Sequence, residues 1–68
     1  MYDKFIKYIS NINTADNLLK EFTTISNIIK NELERKYVDL NLLKEMSYKL
    51  AIISDKITDK IESDDNGS

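Results

Sequence analysis

The only glycine in this chain of 68 residues is Gly67, and there is no proline at all. Nothing before position 67 therefore interrupts a helix by losing a backbone donor, or supplies the unhindered left-handed backbone that tight strand-to-strand turns demand. Leu, Ile and Phe recur at spacings of three and four, with Lys and Glu between them, which is the pattern of amphipathic helix in residue types that favour it. The sequence thus predicts an all-α fold.

Three helices emerge from the local signals. Over residues 2–11 Tyr2, Phe5, Ile6, Ile9 and Ile12 share one face. The stretch "SNINTADN" then brings together side chains that compete with the backbone for hydrogen bonds, and Thr14 or Asn13 is placed to cap the second helix. One unbroken helix as far as Tyr37 is the competing expectation. The second helix, residues 15–36, carries Ala15, Leu18, Phe22, Ile25 and Ile29 as a heptad seam, broadened by Leu19, Ile28 and Leu33. Asp39 makes a good N-cap for the third, residues 40–62, and Val38 can meet Leu43 as a hydrophobic staple. A connection of roughly three residues predicts an antiparallel two-helix hairpin. Beyond Ile61 the acidic stretch "ESDDNGS" holds no apolar residue, and residues 63–68 are expected to be a disordered tail.

The third helix has a second apolar facet. Leu43, Met46, Leu50, Ile53 and Ile57 form its seam, while Tyr48 and Ile52 extend along a different side one turn apart. A domain this small buries too little for a bare hairpin to offset the entropy of ordering its chain, so that facet needs cover. Cover can come from the first helix, giving a three-helix bundle; from a second copy, giving a dimeric four-helix-type bundle; or from another protein.

Composition narrows the chemistry. Without Cys or His there are no disulfides, no thiolate or imidazole metal ligands and no histidine acid/base catalysis, and without internal Gly there is no phosphate-cradling loop. Asp55, Asp59 and Glu62 form a strip on one helix face, but Lys56 and Lys60 interleave it, and a convex face does not converge on a cation. Pairs such as Glu32 with Lys36 and Glu45 with Lys49 stand in the order that supports an exposed helix. Twelve acidic against ten basic residues leave a net charge of −2, too even for a chain that must neutralise many phosphates. No run is long and apolar enough to span a membrane or serve as a secretory signal, so the expected location is cytoplasmic.

The segment "DLNLLKEMSYKLAII", with its capped start, Leu-Leu pair and mid-helix serine, resembles the small helical-hairpin phosphatases that act on sporulation response regulators. That family carries a Ser-x-x-x-Asp arrangement. Here Ser47 is followed four residues later by Ala51, so the resemblance implies docking to a regulator more than the activity itself. "FIKYISNINTADNLLKEF" and the late "DKI" are similar in spacing to small helical modulators that pair with nucleoid-structuring proteins. Both likenesses are to proteins that work by docking on another protein.

These observations converge on a non-enzymatic protein–protein interaction module, acting as adaptor, regulator or chaperone. No catalytic residue, cofactor, metal or small-molecule ligand is expected, and no membrane partner. The partner is a protein, a second copy or a larger chain, and the expected partner-binding residues are Tyr2, Phe5, Ile6, Ile9, Tyr48 and Ile52. Two alternatives are a nucleic-acid-associated regulator presenting Lys20, Lys30, Arg35 and Lys36, and a phosphatase-like regulator using Ser47.

Overall fold

Thr14 begins the main body of the fold in the way its chemistry suggests. Its side-chain oxygen accepts a hydrogen bond from the Asn17 backbone N–H at 3.3 Å, and its own backbone is extended, so the helical ladder starts afresh at Ala15. The computed structural model describes the chain over residues 2–66, with side chains described as far as residue 63. It is all-helical over that range: α1 spans Asp3–Ser10, α2 Ala15–Leu33 and α3 Leu40–Asn66, with α2 and α1 both packed on α3. The break at residues 11–14 excludes the single long helix.

The core draws on all three helices. Ile9 of α1, Leu18 and Ile25 of α2, and Met46 and Ile53 of α3 are buried together, and Phe5, Phe22, Ile29, Leu50, Ile52 and Ile57 pack half-buried around them. Five buried apolar residues among those described are a small core even for this length. The fold is correspondingly extended, 48 × 23 × 15 Å, with a radius of gyration of 13.7 Å, against roughly 11 Å for a compact chain of this size.

Two helix ends differ from the sequence expectation. α2 stops at Leu33 and not at Lys36, so six residues, 34–39, connect it to α3 where the sequence predicts about three. Glu32 ties that connection down, its carboxylate reaching forward to accept the Asp39 backbone N–H. α3 runs to Asn66, four residues past Glu62, because residues 63–66 contain neither the missing donor of proline nor the freedom of glycine. Residues 63–66 of the expected tail thus continue α3, and its last two residues lie outside the described range. No helix among the described residues is long and apolar enough to cross a membrane.

Candidate functional site

α1 is eight residues long, and its N-cap, Tyr2, makes no capping hydrogen bond through its side chain. A helix of that length is marginal in isolation, so docking holds it. The docking contacts are those that the sequence singles out as partner-binding. The Tyr2 and Tyr48 rings lie 5.7 Å apart in a tilted arrangement suited to aromatic pairing. Ile9 is 1% exposed and Ile53, on α3, not at all. Phe5 and Ile52 are half-buried against the same cluster. The Lys49 ammonium stands 5.2 Å from the centre of the Phe5 ring, within cation–π range, which is a different partner from the Glu45 that its spacing suggests.

The two greasy surfaces expected to meet a partner thus meet each other. Ile9 has no surface left to offer. Ile6 and Tyr48 keep about half of theirs, 44% and 50%, and a shallow groove between α1 and α3 runs past Ile6, Ile52, Asp55 and Asp59. Polar contacts complete the attachment. Tyr8 Oη donates to Glu21 Oε1 at 2.6 Å, and Lys56 Nζ donates to the Ser10 carbonyl at 3.5 Å. The hydrogen bond to Glu21, together with the negative charge of that carboxylate and a smaller contribution from desolvation, raises the Tyr8 phenol above the ordinary tyrosine range.

On the other side of the α2–α3 pair none of the described residues is docked. Glu21 on α2 and Tyr48, Lys49, Ile52 and Lys56 on α3 belong to the α1 side. At roughly 100° per residue, Leu19, Ser26 and Leu33 lie on the opposite side of the buried Leu18–Ile25 line, and Ser47, Ser54 and Ile61 opposite on α3. Leu19, Leu33 and Ile61 are 55%, 60% and 56% exposed. A groove of about 250 Å³ opens here between the helices, walled by Ala15, Leu18, Leu19, Ile57 and Ile61, with Lys60 at its edge. Near the connection Leu33, Tyr37, Val38 and Leu40 add further exposed apolar surface.

The remaining candidates are scattered by the fold. Ser47 and Ala51 are exposed on α3, with no acid four residues on from the serine. Arg35 is engaged by Glu32 at 3.1 Å, and Lys36 stands 5.7 Å from the Tyr37 ring. Asp55 and Asp59 are exposed. Sequence reasoning missed Glu32, which is 5% exposed and accepts the Asp39 backbone N–H. Its signal is the seven-residue step from Leu18 through Ile25. No family model, no curated protein and no solved structure matches the chain.

Proposed function

We propose that this chain is a non-enzymatic protein–protein interaction module that works by packing helix on helix, as an adaptor or regulator. The observation that carries the reading is the apolar surface left after α1 has docked. Leu19, Leu33, Tyr37, Leu40 and Ile61 remain exposed where five apolar residues are buried among the described ones, and two of them, Leu19 and Ile61, wall an open groove between two long helices. An interface core is marked by large apolar and aromatic side chains, and these five are of that kind.

The architecture proposed for it is an antiparallel α2–α3 hairpin with α1 across one flank. Residues near the start of α2 (Ala15, Leu18, Leu19) share a groove with residues near the end of α3 (Ile57, Lys60, Ile61), which supports that orientation. The half-exposed Ile6 and Tyr48 extend the contact surface on the α1 side.

Photo-crosslinking in the expressing cell tests the reading, with the photoreactive p-benzoylphenylalanine placed at Leu33 or Tyr37. Adducts to a protein chain, this one or another, at either position are the expected result. Irradiation that yields only the uncrosslinked chain from both positions would overturn it.

A further inference from the structure

The elongated shape of the chain, the pattern on its open α2–α3 flank and the size of its core point to one occupant. The accessible surface of the chain is 5380 Å², whereas a compact monomer of 7.9 kDa exposes roughly 4,400 Å². The surplus of roughly 1,000 Å² is spread over an elongated chain, 48 × 23 × 15 Å, and a second copy lying on the open flank covers part of it. A chain with no cysteine, and with five buried apolar residues among those described, is also of the kind that small domains stabilise by self-association.

The pattern on the flank is self-complementary. Along α2, Leu19 and Leu33 lie seven residues to either side of Ser26. In a two-fold contact each residue pair occurs twice, i with j and j with i. An axis through Ser26 therefore sets two α2 helices antiparallel, with Leu19 of each copy against Leu33 of the other and the two small serines meeting at the axis. On α3 Ser47 and Ser54 keep the centre of the same flank shallow, and Ile61 supplies bulk at its end. A small-residue centre lets two backbones approach while the leucines at either end are covered.

We infer that the flank of α2 and α3 opposite α1 is the interface of a homodimer, in which a second copy of this chain lies across it about a two-fold axis at Ser26. The inference rests on the reading of the chain as an interaction module and names its partner.

Sedimentation equilibrium over a hundredfold range of concentration, joined to disulfide trapping, tests it. The wild type sediments as a dimer. Leu19→Lys with Leu33→Lys weakens dimerisation by roughly a hundredfold or more, since two buried anchors become charges. Should that variant fail to fold, trapping still decides. The chain has no cysteine, so in Ser26→Cys oxidation yields a reducible covalent dimer, because the two thiols face each other at the axis, and in a Thr58→Cys control it does not. A wild type that is monomeric throughout, or Ser26→Cys that traps no faster than the control, would overturn the inference. Crosslinks at Leu33 or Tyr37 to a different protein only, from a chain that sediments as a monomer, would sink self-pairing and leave the module reading standing. A monomer with no crosslinks at all would sink both.

Discussion

Glu32 and Asp39 are joined across the α2–α3 connection: a Glu32 carboxylate oxygen accepts the Asp39 backbone N–H at 2.9 Å, seven residues away. Asp39 in turn caps α3, its side chain accepting from the backbone N–H groups of Asn41 at 3.0 Å and Leu42 at 3.2 Å. The end of one helix thus holds the residue that starts the next. Arg35 donates to both oxygens of Glu32 from one side, so the buried carboxylate has a charge partner and a backbone donor.

Glu32→Ala removes the charged acceptor of the Asp39 N–H and is expected to destabilise the fold by roughly 1.5 to 3 kcal/mol, the net worth of a hydrogen bond to a charged group. Glu32→Gln keeps an acceptor for that N–H and should cost less. Urea unfolding followed by far-ultraviolet circular dichroism checks the order, and equal losses in the two variants would show that the Arg35 charge pair dominates.

Asp39→Ala removes the cap of α3 and should cost about 0.5 to 2 kcal/mol, with Asp39→Asn near wild type. Because Glu32 positions the capping residue, the two losses should not add. The Glu32→Ala, Asp39→Ala cycle is expected to give a coupling of about 0.5 kcal/mol or more by the same unfolding measurement. Strict additivity would mean that the cap forms without the tether.

The same connection shows where sequence reasoning stops. The break before Thr14 and the cap at Asp39 are legible because each depends on one residue and its near neighbours. Most of the seam is legible too, since buried Leu18, Ile25, Met46 and Ile53 and, packed on them, Phe22, Ile29, Leu50 and Ile57 follow from periodicity. The end of α2 is not, because it depends on a carboxylate reaching seven residues forward, and charge at position 32 reads as solvent-facing unless the heptad step is given more weight than polarity. Likewise Tyr48 and Ile52 announce a need for cover, and α1 meets it. Which side stays open is set by the direction in which residues 11–14 lead α1 back over α3, and local sequence does not specify that.

Tyr8 and Glu21 give the fold an alkaline dependence. The Tyr8 phenol, raised by its hydrogen bond to Glu21 and by that residue's charge, titrates above the ordinary tyrosine value in the folded chain. A group whose folded pKa lies above its unfolded one contributes stability below the unfolded value, about 10, which is lost as the pH rises through the folded value. Tyr8→Phe should remove a late step of tyrosinate absorbance, above the ordinary tyrosine value, and flatten the fall of the thermal midpoint above about pH 10. A late step that persists in Tyr8→Phe would show that it does not belong to Tyr8.

Ile9 is the deepest anchor of α1, a helix with no side-chain cap at its start and too short to persist alone. Ile9→Ala opens a cavity against Ile53, for which core truncations cost roughly 2 to 5 kcal/mol, but the loss cannot exceed what docking of α1 contributes before the helix simply detaches. Native-state hydrogen exchange should therefore show the amides of α1 losing protection while those near Leu18 and Ile25 keep most of theirs. Detachment also breaks the Tyr8–Glu21 hydrogen bond, so the late tyrosine step should move back toward the ordinary value in the same variant. Equal loss of protection throughout α2 would mean instead that α1 is part of one cooperative unit, and that five buried residues from three helices stand or fall together.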